Sequence, residues 1–264
     1  MSEGTKQAGR KIEIERTVDA APEEVFRILT DPEEVSRWFP LAAEIDPKVG
    51  GRVWLSWGPG VEGEAPIHVC EPPRRFGWTE RYGEDDAGRP VELAIDFHVE
   101  TRDGVTVVRL VQSGFTASAE WDEMYDALQD GWTYFMFNLE HYIRHHRGTP
   151  RTMAWRRART ELDRDEVWHR LLESGLVQLD DADGATASGA TFSAGLDETY
   201  RGEIVSARPG RHFAGILPEL DQGLLFVEVE GRHVGFWLST YGADADRLAT
   251  LQAALDERVE ATVR

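Results

Sequence analysis

The chain has 264 residues, with 29 lysines and arginines against 48 aspartates and glutamates, which gives a formal net charge of −19. That length allows one large domain or two of roughly 130 residues, each able to bury a core. The negative surplus repels phosphate, so composition argues against partnership with nucleic acid or anionic membranes. The single cysteine, Cys70, excludes an internal disulfide framework and fits a reducing compartment. With no secretory leader and no apolar run of about 20 residues, we expect an acidic cytoplasmic protein without membrane insertion.

The first half of the sequence is typical of a strand, two helices and a series of short strands. Residues 1–10 are small and polar and form the predicted flexible tail. Alternating apolar and charged residues predict a strand over 11–18, and Pro22 followed by two acids predicts a helix that ends at Asp31-Pro32. A second short helix is expected over 33–40, closed by Pro40. Turn signals separate further strand candidates at 52–57, 65–69, 75–81, 91–100 and 105–113.

A long helix is expected from about 119 to 146, because its apolar residues fall on one stripe. The stripe consists of Trp121, Leu128, Trp132, Phe135, Leu139 and Tyr142. In the strand candidate at 91–99 the odd positions are apolar and most even ones polar, which favours an antiparallel sheet with one buried face. The curved face of such a sheet offers the apolar surface that the long helix needs. Six arginines then stand against two acids between 147 and 164, and we interpret 148–163 as an arginine-rich linker.

The remaining residues look like a shorter second copy of the first half. Four short segments match in the same order along the chain: 24–27 with 166–169, 72–76 with 209–213, 107–114 with 235–242, and 128–129 with 251–252. Collinear matches of this kind predict a tandem repeat. The second domain is expected over 164–264, and it has no counterpart of the segment Trp38-Phe39-Pro40.

Several motifs of the first half together resemble a known family. They are 21–26, Trp38-Phe39-Pro40, Gly50-Gly51-Arg52, 71–78, 112–115 and Gly131-Trp132. In this order they resemble the START-like or SRPBCC superfamily, in the branch related to the activator of the heat-shock ATPase cochaperone, over residues 11–147. The resemblance implies an α+β helix-grip fold, in which a curved antiparallel sheet wraps around a long C-terminal helix with a cavity between them. The second half resembles a smaller, degenerate copy. Because members of the superfamily include cochaperones, lipid carriers and cyclases, the resemblance implies a fold better than a function.

Aromatic and soft side chains are the candidates for a ligand site between the sheet and the helix. Large rings with few polar groups form apolar pockets, although the same rings equally serve to fill a core. If Leu110 faces inward, Gln112 does too. The amide of Gln112 is then a polar group on an apolar wall, and it needs a hydrogen-bond partner or a ligand. We predict non-enzymatic binding of a small hydrophobic molecule, without a cofactor, by Trp38, Phe39, Trp54, Trp78, Leu110, Gln112, Trp132, Phe135 and Met136. Trp57 and Tyr82 are further rings expected near this gap.

Histidines are the candidates for chemistry. His68 and His98 lie on strands, but neither has a nucleophile or an orienting acid beside it in the sequence. His141 and His145 have the four-residue spacing of helical metal ligands, yet Arg144 repels a dication, so no metal site is predicted. Two other functions stay open. One is a cochaperone-like or regulatory protein that contacts a protein partner through its charged surface. The other is a cyclase- or hydratase-type enzyme with His68 as its best candidate.

Overall fold

The computed structural model describes residues 10–84, 88–116, 121–180 and 186–264. The chain divides into two compact units, Met1–Gly148 and Thr149–Arg264. Over the described residues, each unit contains one seven-stranded antiparallel sheet with helices. The same ranges contain no helix that combines the length and the apolar character of a membrane span. Apart from Arg10, the tail predicted over 1–10 lies outside the described residues.

The first unit runs as one strand, two helices, six strands and a long helix. Strand β1 (Ile12–Val18) precedes helices α1 (Pro22–Thr30) and α2 (Pro32–Val35). The six strands are β2 (Ala42–Ile45), β3 (Arg52–Ser56), β4 (Glu62–Glu71), β5 (Arg75–Glu84), β6 (Pro90–Arg102) and β7 (Val105–Ser113). Helix α3 (Asp122–His141) continues into a π-helical turn at Tyr142–His146.

In the sheet of the first unit, strands β2 to β7 form a meander, and β1 is added at one edge. The strand order is β1-β7-β6-β5-β4-β3-β2, with all neighbours antiparallel, so β1 pairs with the last strand of the meander. We call the face toward α3 the inner face and the opposite one the outer face. Leu93, Ile95 and Phe97 alternate with more polar residues along β6 and are buried on the inner face. The predicted α+β helix-grip fold is confirmed.

Local sequence signals set the boundary between α1 and α2. Pro22 opens α1, where its missing N–H costs nothing because that group has no partner within the helix. The Oδ1 atom of Asp31 caps α2 by accepting hydrogen bonds from the amides of Glu33 and Glu34, at 2.9 and 3.3 Å. Short-range polar chemistry therefore fixes where the chain leaves the first helix.

The second helix is shorter than predicted. Only Pro32–Val35 is helical, whereas the sequence predicts a helix over 33–40. Trp38 and Phe39 lie in the turns that follow. Pro40 prevents the helix from reaching its predicted end, because its ring would clash with a carbonyl one turn earlier and its N–H is missing. In this turn the side chains of Trp38 and Phe39 no longer follow the spacing of a helix, and both are buried in the interior.

The long helix has the predicted end but an unexpected last turn. It was expected over 119–146; residues 119 and 120 lie outside the described residues, and α3 begins at Asp122. Its last turn, Tyr142–His146, is π-helical. Trp132, Leu139 and Tyr142 are buried, as the stripe predicts.

The second unit repeats the topology of the first. Its elements are β8 (Arg151–Arg159), α4 (Arg164–Glu173), β9 (Gln178–Leu179), β10 (Thr191–Gly195), β11 (Thr199–Arg208), β12 (His212–Leu217), β13 (Gly223–Glu230), β14 (His233–Tyr241) and α5 (Ala245–Val263). The strand order is β8-β14-β13-β12-β11-β10-β9. It repeats the order of the first sheet, with β8 in the position of β1 and β14 in the position of β7. One helix, α4, stands where the first unit has α1 and α2. The tandem repeat is confirmed, and it lacks the segment equivalent to Trp38-Phe39-Pro40.

The stretch predicted as a linker, 148–163, is instead largely β8. This strand pairs with β14 over nine residues, so the second unit begins before residue 164. Its arginines find carboxylates within the unit: Arg156 contacts Asp256 at 3.1 Å and Arg157 contacts Glu230 at 3.2 Å. Long arginine stems cover sheet surface while their charged ends reach acids. A basic run therefore belongs to a strand rather than to a connection.

Candidate ligand-binding site

A cluster of aromatic rings joins the inner face of the first sheet to α3. The rings come from the turn after α2, from the end of β3, from β5 and β6, and from α3. We call this set the aromatic cluster: Trp38, Phe39, Trp57, Trp78, Phe97, Trp132 and Phe135. Five of the nine predicted site residues therefore meet in one place.

Phe39 lies at the centre of the aromatic cluster. Its ring centroid is 5.2 Å from that of Trp38 and 5.1 Å from that of Trp132, both in stacked arrangements. Edge-on contacts place it 4.7 Å from Phe135 and 5.3 Å from Trp57. These spacings are those of favourable ring pairs. Phe39 thus fills the space between the turn, the sheet and the helix.

Phe97 forms the part of the aromatic cluster that belongs to the sheet. It is buried, with ring centroids 5.9 Å from Trp78, 5.9 Å from Trp132 and 6.3 Å from Trp38. Phe97 is not among the predicted site residues. The alternation over 91–99 was the available signal, because Phe97 occupies one of its odd, apolar positions.

Gln112 lies on the inner face of β7, as expected, and is 0% exposed. Its cross-strand neighbours are Ile12 and Ile95, and Leu110 on the same strand is equally buried. The Oε1 atom of Gln112 accepts a hydrogen bond from Nε1 of Trp132 at 2.9 Å. Because an indole N–H can only donate, this contact identifies the oxygen of the amide. Within the part of the chain that the structure describes, the buried Nε2 donor has no hydrogen-bond partner.

Asn138 places a second unsatisfied polar atom beside the same rings. Its Nδ2 atom donates to the backbone oxygen of Trp38 at 3.4 Å, and its buried Oδ1 atom has no hydrogen-bond partner among the described residues. Asn138 is not among the predicted site residues, although its spacing of three from Phe135 indicates the buried side of α3. A buried unsatisfied group costs about 1–3 kcal/mol. The first unit carries that cost twice next to one aromatic cluster.

A carboxylate stands next to Trp78 on β5. The Oε1 atom of Glu80 accepts from Nε1 of Trp78 at 2.8 Å, and its Oε2 atom accepts from the hydroxyl of Tyr82 at 2.6 Å. The three residues alternate along one strand and so share its inner face. Tyr82, which the sequence places near the gap, is therefore held by Glu80.

Trp54 does not join the aromatic cluster, contrary to its predicted role. Val53 and Leu55 on β3 are buried, and alternation turns Trp54 toward the outer face. Its cross-strand neighbours are Glu44 and Glu64. Trp57, which stands an even number of residues from Leu55, points inward and contacts Phe39 instead.

A surface groove of about 850 Å³ lies away from the aromatic cluster, between the β1–α1 connection, the β6–β7 turn and the end of the π-helical turn. Arg147 reaches across it. Its Nη1 atom is 3.2 Å from Oε2 of Glu24, and its Nη2 atom donates to the oxygen of Asp19 at 2.9 Å. The groove therefore contains an arginine whose charge is already paired, whereas the predicted gap between sheet and helix is occupied by touching rings.

The histidines separate into two groups. His98 lies on the outer face of β6 between two arginines; burial, together with the charges of Arg109 and Arg75, lowers the pKa of His98 and favours its neutral form. The rings of His141 and His145 lie 4.8 Å apart at the end of α3. Across the described ranges, no group of three or more His, Cys, Asp or Glu side chains has the arrangement of a metal site.

Residues 19–144 match the family model described as "Activator of Hsp90 ATPase homolog 1-like protein". The first unit belongs to this family. The family named from the sequence is thereby confirmed, and the matched residues extend from the end of β1 to the π-helical turn. No curated protein matches the sequence.

Solved structures similar to this chain cover either one unit or both. Protein MLL2253 from Mesorhizobium loti is 24% identical, with a TM-score of 0.46, covering 52% of this chain and 98% of its own. The Aha1 dimer from Colwellia psychrerythraea is 19% identical, with a TM-score of 0.45, covering 53% and 99%. The di-domain ARO/CYC protein BexL is 15% identical, with a TM-score of 0.44, and the match covers 96% of both chains.

Proposed function

We propose that the first unit binds a small, flat, apolar molecule that carries an oxygen able to accept one hydrogen bond. The aromatic cluster supplies the apolar walls, and Gln112 supplies the donor. The observation that carries this proposal is the Nε2 atom of Gln112, a fully buried donor without a partner in the described residues. A carbonyl or ether oxygen that reached this atom would remove a cost of about 1–3 kcal/mol.

The walls around Gln112 favour a ligand without charge. Leu110 and Met136 are 0% exposed, and Trp132 uses its only polar atom on Gln112 itself. A charged group placed among such side chains would lose its hydration without gaining a countercharge. Flat rings, by contrast, stack on indole and phenyl faces and gain about 25 cal/mol for each Å² of apolar surface removed from water.

Phe39 occupies the space that the ligand takes. It comes from the turn after α2, whereas Trp78, Phe97 and Trp132 are fixed on strands or on α3. Trp38, its neighbour, is held by a hydrogen bond from Nε1 to the backbone oxygen of Ile28 at 3.2 Å. Rotation of Phe39 would therefore open the aromatic cluster without moving a strand or α3, and it would expose the faces of rings that remain in place.

Native mass spectrometry of the intact chain against lipids, polyketides and aromatic metabolites tests this proposal. We expect a complex of one ligand per chain with neutral aromatic members of the panel. Phe39→Ala removes the ring that fills the site and should strengthen binding of small aromatic probes. Phe115→Ala is the matched control, because Phe115 is also buried in the first unit but packs on Tyr125 at 4.9 Å, outside the aromatic cluster.

The two variants separate ligand binding from general loosening of the fold. If Phe39→Ala and Phe115→Ala gain affinity for the probes equally, the aromatic cluster is not the site. If neither variant nor the unmodified chain binds any neutral aromatic compound in the panel, the proposal is wrong.

A further inference from the structure

Three polar side chains on the outer face of the first sheet form a hydrogen-bonded chain. The Oγ1 atom of Thr79 on β5 lies 2.9 Å from Nδ1 of His68 on β4. The Nε2 atom of His68 lies 3.1 Å from Oδ1 of Asp96 on β6. A hydroxyl, an imidazole and a carboxylate are thus joined in line across three adjacent strands, on the side of the sheet opposite to the aromatic cluster.

The chemistry of the three groups fixes the direction of the hydrogen bonds. An ionised carboxylate can only accept, so Nε2 of a neutral His68 carries the hydrogen and donates it to Asp96. Nδ1 then holds a lone pair, and the hydroxyl of Thr79 donates to it. This is the arrangement in which an imidazole removes a proton from a hydroxyl group, with the carboxylate holding the ring in the required tautomer.

The backbone is adapted to bring these side chains together. The pairing of β4 with β5 shifts register between Ile67 and Val69, so His68 sits in an irregularity that re-aims its side chain. Gly77 lies beneath the contact, where a Cβ atom would stand 2.8 Å from Oδ1 of Asp96 and 3.1 Å from Nε2 of His68. Only glycine leaves room for the histidine and the carboxylate to meet.

Asp96 is held rigidly and stays largely out of water. Its side chain is 12% exposed, and its Oδ1 atom accepts from Nη2 and Nε of Arg75 at 2.8 and 3.2 Å. The side chain of His68 is 31% exposed and Thr79 is half-buried, so solutes reach the hydroxyl end of the chain while the carboxylate end is enclosed. Arg81, two residues beyond Thr79 on the same strand, is exposed and pairs with Glu84 at 3.5 Å.

We propose that Thr79 is a nucleophile activated by His68, and that this part of the outer face accepts acyl groups from small activated esters. Oγ1 of Thr79 forms a bond to the carbonyl carbon while its proton passes to Nδ1 of His68. The bond between that carbon and the leaving oxygen then breaks, and His68 returns the proton to the departing alcohol. The product is an acyl ester of Thr79, which water cleaves by the same two steps to release a carboxylic acid.

The test uses the full chain and p-nitrophenyl acetate. Release of p-nitrophenolate gives the rate, and intact mass followed by peptide mapping gives the site of the transferred acetyl group. Thr79→Val keeps the shape of the side chain and removes the hydroxyl. Thr101→Val is the matched control, since Thr101 is an exposed threonine on β6 outside the hydrogen-bonded chain. Thr79→Ser retains a nucleophile, and His68→Gln removes the base.

We expect acetylation at position 79 in the unmodified chain, in Thr101→Val and in Thr79→Ser, and none there in Thr79→Val. The rate in His68→Gln should fall by about 10²-fold, the usual contribution of a positioned general base. Equal rates in the unmodified chain and Thr79→Val, acetyl groups confined to lysines, or no effect of His68→Gln would each overturn the proposal. None of these outcomes depends on ligand binding in the aromatic cluster, because the two sites lie on opposite faces of the sheet.

Discussion

The hydroxyl of Tyr142 donates a hydrogen bond to Oε2 of Glu34 across 2.6 Å, and so joins the end of the long helix to α2. Glu34 is only 4% exposed. It also pairs with Arg27 and, at 2.9 Å, with Arg37. Because α2 leads directly into the turn that carries Phe39, this buried contact holds the segment that fills the aromatic cluster.

Replacing Tyr142 by phenylalanine should lower the free energy of unfolding by about 1.5–3 kcal/mol, the range for a hydrogen bond to a charged group. The change removes one oxygen atom and leaves the ring in place. Denaturant titration at neutral pH measures the effect. Tyr125→Phe is the control, because the Tyr125 hydroxyl donates to the backbone oxygen of Lys11 at 3.0 Å at an exposed position. Its loss should lower the free energy of unfolding by less than about 0.5 kcal/mol. Equal losses in both variants would contradict a special role for the Glu34 contact.

The charge of Glu34 should make stability depend on pH. Burial opposes its ionisation, but the hydrogen bonds from Tyr142 and Arg27 outweigh burial and lower the pKa of Glu34 below its usual value. A lowered pKa means that the folded state binds the proton less readily than the unfolded state. The stabilisation is therefore complete above the pKa of the unfolded chain and is lost as pH falls through the folded pKa.

Glu34→Gln should remove this part of the pH dependence. The difference in unfolding free energy between the unmodified chain and the variant should be largest at neutral pH and should shrink from about pH 5 downward. Denaturant titrations over a series of pH values measure it. A difference that stays constant with pH would show that the charge of Glu34 contributes nothing.

Gly77→Ala should destabilise the first unit by about 1–3 kcal/mol, the usual cost of overfilling a packed position. Its Cβ would lie 2.6 Å from the backbone oxygen of Ile95 and would also press on the contact between His68 and Asp96. Gly63→Ala, on the neighbouring strand β4, is the control because no heavy atom lies within 4 Å of its Cβ position. Thermal or denaturant unfolding of the two variants tests the pair, and equal stability would contradict the close approach.

Local patterns were sufficient to predict most elements of the first unit. The alternation over 91–99 lies within β6, and the stripe through Trp132 lies on α3, because each pattern needs only nearby residues. The matched segments 72–76 and 209–213 fall at the β4–β5 and β11–β12 hairpins. Equivalent turns in the same order therefore identified the repeat before either sheet was known.

Features that depend on distant partners were not predictable in the same way. Strand β8 was interpreted as a linker because its arginines hide the strand pattern and because its partner, β14, lies far along the chain. The contact between His68 and Asp96 joins residues that are 28 positions apart in the sequence. It also depends on a register irregularity between β4 and β5, which local sequence patterns do not predict. Trp54 was assigned to the wrong face, since aromatic content alone does not decide which side of a strand a ring occupies.

The most direct test of ligand binding in the first unit compares a flat aryl ketone with its methylene analogue by isothermal titration. The double variant Gln112→Leu/Trp132→Phe removes the free donor and its bonded partner together, so that no new unsatisfied group is left behind. Trp132→Phe alone retains the Nε2 donor and serves as the control. We predict that the unmodified chain and the control bind the ketone about tenfold more tightly than the analogue, and that the double variant binds both equally. A ketone preference that persists in the double variant, or that is missing from the unmodified chain, would contradict the account.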